Sequence, residues 1–546
     1  MKPMKPILLF CILGVLILHS GCNEVEGESF FGDPLYSEQW YLKNTGQTGG
    51  KPGEDLNVEP VWNSCAPSTH ACHGEGITIA IVDGPFEILH EDLAQNGGRG
   101  SYNYVTGTAN PTPLNTSDSR SPVQQAEMAH GTACGGIAAA RDNNGLGGRG
   151  VAPRAKLAGI NLLENDTAFN EADAMLRGSQ TIAISNNSWG VPDGYGSLSP
   201  SDASWRKAIE IGITEGRGKL GVLYVWGAGN GAKGTRYCPN CEDNSNYDGQ
   251  ANFRGVIAVA SLNHQGVRST YSEKGANLWI SGYGGEFCKT PPAITTTDLM
   301  GPAGFNPAFS DLISVTDYAN QNYTKCMNGT SAASPQIAGV IALMLQANPA
   351  LSWRDVRIIL AQSARMNDAG DSDWKVNGAG FHINHQYGFG VADTEVAVRV
   401  SKSWSPIVAP YSSSKEYRST PLADIPPSNS KGISDTIRVQ ASGIQQIEWI
   451  EIRLNADSSD SGSEPGNLEV VLENKSTGTL SILAEKHECW DRLSNLPICP
   501  VYENWTFGSA RHLGESADGE WILHIRDVGS HFGGKFTSWG LKFYGR

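Results

Sequence analysis

The sequence predicts an α/β unit, in which a doubly wound parallel sheet has helices on both faces, followed by an all-β sandwich. Short β-branched runs without charges, such as Ile77–Val82, are typical of strands buried in a parallel sheet. The small-residue stretch Ala129–Ala140 suits a helix that packs closely against such a sheet. Beyond residue 430, runs such as Ile447–Leu454 and Leu468–Glu473 alternate apolar with polar residues, as half-buried antiparallel strands do.

The length supports two domains, because 546 residues are more than one domain usually contains. A connector is indicated by Ala409–Ser414 and a later Pro-Pro-Ser stretch, since such residues interrupt regular structure. The predicted segments are a signal segment at 1–21, a short tether at 22–32, the α/β unit at 33–402, a linker at 403–430 and the sandwich at 431–546.

The N-terminus predicts export. Lys2 and Lys5 precede the apolar run Ile7–Leu18, which is too short for a comfortable membrane span. The following Ser-Gly-Cys is similar to a bacterial lipoprotein signal, in which Cys22 would carry the lipid and anchor the protein to the outer membrane of a Gram-negative host. His19 stands where Leu is usual, so ordinary signal cleavage and secretion is the alternative.

The charge balance excludes one class of partner. Charged residues make up 18% of the chain, the net charge is −15 and there is no basic tract, which excludes a nucleic-acid-binding role. An acidic surface would instead attract basic protein or peptide substrates.

The segment Asn328–Pro335 contains a candidate nucleophile. Ser331 follows Gly and Thr, and Pro335 is expected in the first turn of the following helix, where proline is tolerated. Ser331 would then lie at a helix N-terminus, where the helix dipole favours developing negative charge. Because a lone serine there is more often a cap, a catalytic role requires partners elsewhere in the chain.

Two earlier segments supply such partners. Asp83 ends the strand-like run Ile77–Gly84, at the sheet edge where catalytic groups gather. His130 is expected at the start of the small-residue helix. A serine hydroxyl needs an adjacent base, and the imidazole needs a carboxylate that fixes its tautomer. We therefore predict a triad of Asp83, His130 and Ser331.

The order Asp, His, Ser along the chain is that of subtilisin. The sequence resembles the subtilisin-like serine proteases, and within them the kexin/furin-type proprotein convertases and bacterial relatives that carry a C-terminal P domain, a jelly-roll β-sandwich. Beyond the triad, the resemblance is carried by the segments 33–42, 188–190, 229–231, 351–356, 519–525 and 539–545. It implies a serine endopeptidase in which Asn230 donates to the oxyanion and Ser188, Trp189 and Gly190 bind substrate.

The same resemblance implies the substrate preference. Asp193 and Asp248 match acidic residues of the S1 pocket that bind Arg or Lys, although one acid of the usual pair near Asp193 is missing. Gly84 stands where dibasic-specific relatives have a second Asp, whereas Glu127 and Glu171 match acidic S2 and S4 positions. We expect cleavage after a basic P1 residue with a relaxed P2 preference.

Calcium is the cofactor that the resemblance implies, because the matched positions offer the hard oxygen ligands that Ca²⁺ takes. A first site would use Asp33, Asp92 and the loop 141–148, with Arg141, Asn144, Leu146 and Gly148 as its members. A second site near S1 would use Asp193, Asp243 and Glu273.

Nine cysteines remain once Cys11 and Cys22 are set aside. Proximity suggests the pairs 65–72, 238–241 and 489–499, which leaves 288 with 326, although sequence alone does not fix the connectivity. Cys134 would be the free thiol, matching an unpaired cysteine beside the active site of many relatives.

Only ten residues separate Cys22 from Asp33, whereas relatives carry a long prodomain there. We expect a separate chaperone or inhibitor protein, or calcium alone, to replace it. Two alternative functions stay open: a subtilase of broad specificity, and a catalytically silent surface lipoprotein that binds partners through its sandwich.

Overall fold

The computed structural model describes residues 32–65, 72–113, 121–236, 238–288, 292–427, 431–458, 465–492, 494–529 and 533–546. The predicted signal segment, Cys22 and all of the predicted tether except Gly32 lie outside these residues. Within the described part of the chain, no helix is long and apolar enough to cross a membrane.

The first unit is built on a parallel sheet. Its strands are β1 (Thr78–Asp83), β2 (Tyr102–Asn103), β3 (Lys156–Asn161), β4 (Ile184–Asn187), β5 (Leu223–Gly227), β6 (Val256–Leu262), β7 (Ile280–Tyr283), β8 (Ile294–Thr297), β9 (Tyr323–Met327), β10 (Lys375–Val376) and β11 (His382–Ile383). Strands β1 to β7 form one seven-stranded sheet in the order β2-β3-β1-β4-β5-β6-β7. Two antiparallel pairs, β8 with β9 and β10 with β11, accompany it.

The register of the sheet gathers polar residues at its carboxyl edge. Asp83 of β1 lies opposite Asn161 of β3, and Val82 lies opposite Asn187 of β4. The rest of β1 is apolar and buried because helices cover the sheet. The last residue of β1 therefore delivers a carboxylate to the edge where α/β proteins place their sites.

The helices of this unit are α1 (Glu59–Trp62), α2 (Pro122–Ala139), α3 (Ala168–Leu176), α4 (Ala203–Lys219), α5 (Ala308–Leu312), α6 (Thr330–Ala347), α7 (Trp353–Ser363) and α8 (Thr394–Ser403). Helix α6 packs across β4 to β7, and α2 packs on β1, β3 and α6. Helices α3 and α4 form a second pair. The predicted α/β class is confirmed.

The start of α2 differs from the prediction. The Ser121 hydroxyl accepts the N–H of Gln124 at 3.3 Å, and the Gln124 side chain accepts the N–H of Ser121 at 3.0 Å. This capping box and Pro122 at the first position begin the helix two turns before His130. The prediction that His130 starts the helix was wrong; it lies in the middle of α2.

The second unit is a sandwich of two antiparallel sheets. Its strands are β12 (Ser412–Ser413), β13 (Tyr417–Ser419), β14 (Ala423–Ile425), β15 (Ile433–Val439), β16 (Ile447–Ser458), β17 (Leu468–Asn474), β18 (Thr479–Ala484), β19 (Tyr502–Ser509), β20 (Gly519–Asp527) and β21 (Gly534–Gly545). One sheet has the order β15-β20-β17-β18, and the other contains β21, β16 and β19 with β12, β13 and β14 along β21. The predicted linker at 403–430 was therefore too long, because strands from residue 412 onward already belong to this sheet.

The two units share a buried interface. Tyr247 and Ala276 of the first unit lie in the hydrophobic core of the sandwich. The N–H of Ala510 donates to the carbonyl of Ala276 at 2.9 Å. Arg354 of α7 and Glu448 of β16 form a buried ion pair, in which Nε donates to Oε2 at 2.9 Å. These contacts fix the sandwich against the α/β unit.

The disulfides pair as sequence proximity suggested. The bonded cysteines are 65 with 72, 238 with 241, 288 with 326 and 489 with 499. Among the described cysteines, Cys134 is the free one, and it is buried in α2.

Candidate active site

Asp83 and His130 form a hydrogen-bonded pair in a cleft of about 880 Å³. His130 Nδ1 lies 2.8 and 2.9 Å from the two oxygens of Asp83, which is buried at the end of β1. Burial by itself lowers the pKa of His130, but the charge of Asp83 outweighs it and raises that pKa well above its ordinary value. The pairing keeps a proton on Nδ1, so Nε2 is the nitrogen at which His130 gains or loses a proton.

Glycine at the next position of α2 permits this approach. A Cβ on Gly131 would lie 2.7 Å from the carbonyl oxygen of Pro85 and 3.3 Å from the Asp83 side chain. A larger residue would push α2 away from the end of β1 and separate the imidazole from its carboxylate.

Ser331 lines the same cleft as His130. It is the second residue of α6, which begins after Gly329 at a φ of 94°. The Ser331 hydroxyl donates to the carbonyl of Ser188 at 3.0 Å. The Ser331 hydroxyl is thus hydrogen-bonded to Ser188 within the cleft that His130 also lines.

Pro335 lies in the second turn of α6, not in the first turn as predicted. Because proline has no N–H, the carbonyl of Ser331 lacks its helical partner. That carbonyl instead accepts the hydroxyl of Ser188 at 3.0 Å and the thiol of Cys134 at 3.5 Å. The interior proline thus ties the first turn of α6 to α2 and to the segment after β4.

Asn230 follows β5 and faces the start of α6. Its side-chain oxygen accepts the N–H of Thr330 at 2.8 Å and the Thr330 hydroxyl at 3.1 Å. The Asn230 side chain also hydrogen-bonds Asp193, and Asn230 lines the cleft together with Ser331. An amide NH₂ in the cleft is the kind of donor that stabilises an oxyanion.

Asp248 and Asp193 lie together at one end of the cleft. Asp248 is buried and accepts the N–H of Gln250 at 2.7 Å; a Cβ on Gly190 would lie 3.0 Å from its second oxygen. Burial raises the pKa of Asp248 to about 6. Asp193 accepts the N–H of Asn230 at 2.8 Å, and desolvation raises its pKa although its side chain remains accessible. Ser188, Trp189 and Gly190 line the same pocket.

Glu127 and Glu171, the acids predicted at S2 and S4, differ in their position relative to the cleft. Glu127 is exposed on α2 and lines the cleft, and a Cβ on Gly84 would lie 3.4 Å from its backbone carbonyl oxygen. Glu171 on α3 is not among the residues that line the cleft; its carboxylate accepts the Gln250 side chain at 3.1 Å. Burial and the neighbouring Asp166 raise the pKa of Glu171 to about 7.

Sequence reasoning missed Glu164, which does line the cleft. Its carboxylate accepts the amide of Asn161 at 2.7 Å, and Asn161 is the last residue of β3. An acid three residues beyond a buried parallel strand is a signal that could have pointed to it.

A cluster of three acids lies behind the Asp193 end of the cleft. One carboxylate oxygen each from Asp193, Asp243 and Glu273 lie within 4.8 Å of one another. Burial, together with the neighbouring charges, raises the pKa of Asp243 to about 7 and raises that of Glu273 well above its ordinary value. A Cβ on Gly229 would lie 2.1 Å from Glu273, and one on Gly231 would lie 2.0 Å from Asp243. The glycines that flank Asn230 therefore make room for two carboxylates, and the donor set suits a hard cation.

The acids of the first predicted calcium site also lie together. Asp92 accepts the side-chain amide of Asn144 on Oδ1 at 2.7 Å, while its buried Oδ2 has no hydrogen-bond partner among the described residues. Burial raises the pKa of Asp92 to about 8. Asp33 accepts Arg149 at 2.9 Å. An orphaned carboxylate oxygen suits a cation. The remaining predicted members, Arg141, Leu146 and Gly148, lie in the adjoining loop.

Two family models match this chain. The model described as "Subtilase family" matches residues 74–390, more than half of the chain, including Asp83, His130, Asn230 and Ser331. The chain belongs to the subtilase family. The model described as "Proprotein convertase P-domain" matches residues 454–543 within the sandwich of this subtilase. The predicted family, subtilisin-like serine proteases with a P domain, is confirmed.

This subtilase is similar to named convertases over most of its length. It shares 31% identity over 528 residues with human proprotein convertase subtilisin/kexin type 6, covering 94% of this chain and 49% of that protein. It shares 30% identity over 524 residues with neuroendocrine convertase 2 of Bos taurus, covering 94% of this chain and 74% of that protein. The subtilase therefore spans about half the length of the first relative and about three quarters of the second.

Among solved structures, the subtilase is similar to the serine protease of Aeromonas sobria in its complex with a chaperone. The TM-score is 0.81 with 28% identity, over 94% of this chain and 95% of that one. The similarity covers both units of the fold.

Proposed function

We propose that this subtilase is an exported, calcium-dependent serine endopeptidase that cleaves after Arg or Lys. The observation that carries the proposal is one cleft lined by the Asp83–His130 pair, Ser331 and Asn230, with Asp193 and Asp248 at one end. A binding scaffold has no need for a nucleophile, a base, an orienting carboxylate and an amide donor in one cleft.

The reaction would follow acyl-enzyme chemistry. Ser331 Oγ attacks the scissile carbonyl while His130 Nε2 takes its proton, and Asp83 stabilises the resulting imidazolium. The amide of Asn230 and the backbone N–H of Ser331 donate to the oxyanion. His130 then protonates the leaving amine, and water repeats the attack to release the acyl group from Ser331.

The acids of the cleft support a basic P1 residue. A Lys or Arg side chain between Asp193 and Asp248 would pair with carboxylates that burial otherwise makes costly to ionise. Glu127 supports a secondary preference for a basic P2 residue. Glu164, rather than Glu171, is the acid in position to contact a more distant substrate residue directly, while Glu171 supports the Asp248 loop through Gln250.

Calcium is proposed at the two acidic sites. Asp193, Asp243 and Glu273 would hold one ion, and Asp92 with Asp33 and the Asn144 loop would hold the other. A bound cation neutralises carboxylates that otherwise repel one another, and so stabilises the loops that carry Asp193 and Asn230.

Export is supported by the four disulfides, which persist in oxidising compartments. Lipidation of Cys22 remains part of the proposal, and a Cys22→Ser variant that still incorporates labelled fatty acid would contradict it. The complex of the Aeromonas sobria protease with a chaperone supports the proposal that a separate protein assists folding here too. Autonomous refolding from denaturant in calcium-free buffer would count against any such need.

The deciding experiment is cleavage of a mixed peptide library in calcium, with cut sites read by mass spectrometry and Ser331→Ala as control. Cuts after Arg or Lys that vanish in the variant are expected. Cuts after other residues would replace the proposal with a broad-specificity subtilase. No cuts by folded protein would favour a binding role for the sandwich.

A further inference from the structure

The loop that follows Asp193 is held from two sides. On the inner side, the N–H groups of Gly194 and Gly196 donate to the two oxygens of Asp243. On the outer side, the loop contacts His487–Trp490, a segment of the sandwich. The loop directly follows Val191, Pro192 and Asp193, which line the cleft.

Three contacts join the sandwich segment to the loop. The N–H of Trp490 donates to the carbonyl of Tyr195 at 2.8 Å. His487 Nε2 lies 3.1 Å from the carbonyl of Gly196. The Ser197 hydroxyl donates to the carbonyl of Trp490 at 3.4 Å. Consecutive residues of the loop are therefore fixed by another domain.

The approach of the two backbones requires glycine. Gly196 has a φ of 62°, and a Cβ there would lie 2.1 Å from the carbonyl oxygen of Glu488. On the next loop, the N–H of Glu488 donates to the carbonyl of Asn240 at 3.1 Å, and the Asn240 amide donates to the Glu488 carboxylate at 3.0 Å. Asn240 lies in the turn closed by the disulfide of Cys238 and Cys241.

The same segment also supports the second acid of the pocket. The His487 ring lies 4.8 Å from the Tyr247 ring, and the Tyr247 hydroxyl lies 3.3 Å from His487 Nδ1. Tyr247 directly precedes Asp248, and its carbonyl accepts the N–H of Ser199 at 2.8 Å. His487 thus touches both loops that carry the acids of S1.

The segment is itself built as a fixed element. The disulfide of Cys489 and Cys499 closes its loop, and the N–H of His487 donates to the carbonyl of Gly466 at 2.8 Å. Lys274 pairs with Glu485 at 2.6 Å just before it. A disulfide-closed segment that contacts both loops carrying Asp193 and Asp248 has the arrangement of a positioning element.

We propose that the sandwich segment His487–Trp490 positions the S1 pocket, with His487 as the positioning residue that sets the spacing between Asp193 and Asp248. This proposal rests on the proposed protease function and adds a specificity role for the second domain. Loss of His487 leaves the triad in place but loosens the pocket, so substrate binding suffers more than chemistry.

The test compares His487→Ala with His524→Ala, a control that removes a partly exposed histidine from the sandwich face bearing Ser434 and Glu473. For His487→Ala we expect KM to rise roughly tenfold, the scale of one lost buried hydrogen bond, with kcat within about twofold. The rate of Ser331 labelling by a small fluorophosphonate without a P1 side chain should stay unchanged. His487→Gln, which keeps a donor for Gly196, should recover most of the affinity.

An unchanged KM in folded His487→Ala would overturn the proposal, and so would an equal loss of kcat and labelling rate, which would mark a general structural role. If His487→Ala does not fold, Tyr247→Phe removes the hydroxyl that faces His487 and that also contacts Tyr502 and the backbone of Glu485. An unchanged KM in Tyr247→Phe is then the contradicting result. All constants are measured with the P1 residue that the wild type prefers. A wild type that prefers an uncharged P1 residue would therefore refute the basic specificity while leaving the role of His487 testable.

Discussion

Ser188 and Ser331 exchange two hydrogen bonds: the hydroxyl of each donates to the carbonyl of the other at 3.0 Å. One bond supports the carbonyl that Pro335 leaves without a helical partner, and the other holds the nucleophile in its resting rotamer. Ser188, which precedes the cleft-lining Trp189, therefore helps to hold both the backbone and the side chain of Ser331 in place.

Replacing Ser188 should damage both stability and catalysis. In Ser188→Ala the buried carbonyl of Ser331 keeps only the thiol of Cys134, so the free energy of unfolding should fall by about 1–3 kcal/mol. A displaced first turn of α6 should also lower kcat. Denaturant unfolding and steady-state kinetics measure the two effects. Ser188→Thr, which keeps a hydroxyl, is the control, and equal losses in both variants would contradict the explanation.

Asn230→Ala should lower kcat by roughly 10²–10³-fold with little change in KM, the loss that removal of the corresponding oxyanion donor causes in subtilisin itself. Steady-state kinetics on an Arg peptide give both constants. Asn63→Ala, an exposed site after α1, should have no effect. A rise in KM with unchanged kcat would instead assign Asn230 to ground-state binding.

Affinity for a basic P1 residue should depend on pH through Asp248. Its pKa is raised to about 6 by burial, so the carboxylate is charged above that pH and neutral below it. KM for an Arg peptide should therefore rise several-fold from pH 7 to pH 5, whereas KM for a matched Ala peptide should stay flat. Asp248→Asn should raise KM for the Arg peptide at pH 7 and remove the difference between the two profiles.

Removal of calcium should destabilise the protein. Three carboxylates within 4.8 Å repel one another without a cation, and saturation of a site at a hundred times its Kd adds about 2.7 kcal/mol. Excess chelator should therefore lower Tm, and Glu273→Gln should reduce the part of the shift that calcium restores. Glu395→Gln on α8 is the matched control. A Tm that is independent of calcium in the wild type would refute the cation sites.

The interface should weaken in acid through His385. His385 is buried, its Nε2 accepts the N–H of Ile482 at 2.8 Å, and burial together with the charge of Arg511 lowers its pKa to about 4. In the unfolded chain this histidine binds a proton below about pH 6.5, whereas in the folded chain it binds one only below about pH 4. The folded state should therefore lose stability as the pH falls from about 6.5 to about 4. His385→Gln should flatten that part of the stability profile; an unchanged slope would contradict it.

Much of the site could be predicted because its chemistry lies in short motifs. Asp83, Asn230 and Ser331 each follow or precede a buried element, so local sequence places them at the sheet edge. The alternation in β16 and β17 likewise predicted the sandwich. The triad was predicted from the order of Asp83, His130 and Ser331 along the chain.

The features that the sequence did not predict share one physical cause, because each depends on contacts with residues that are distant in sequence. Pro335 is tolerated in the second turn because Ser188 and Cys134 donate hydrogen bonds to the carbonyl of Ser331, which lacks a helical partner. Neither donor is near Pro335 in sequence. Strands β12 to β14 are two or three residues long, too short to show a period, and exist through pairing with β21. Glu164 and Glu171 cannot be distinguished without the path of the loop after β3.

Tyr247 belongs to the hydrophobic core of the sandwich, while the next residue, Asp248, lines the cleft of the α/β unit. The sandwich therefore cannot be replaced without changing the packing around Tyr247. A chimera that joins this α/β unit to a foreign sandwich places a different surface against the Tyr247 ring, next to a residue that lines the cleft. Exchange of the sandwich would therefore alter the surroundings of the cleft even when every residue of the α/β unit is unchanged.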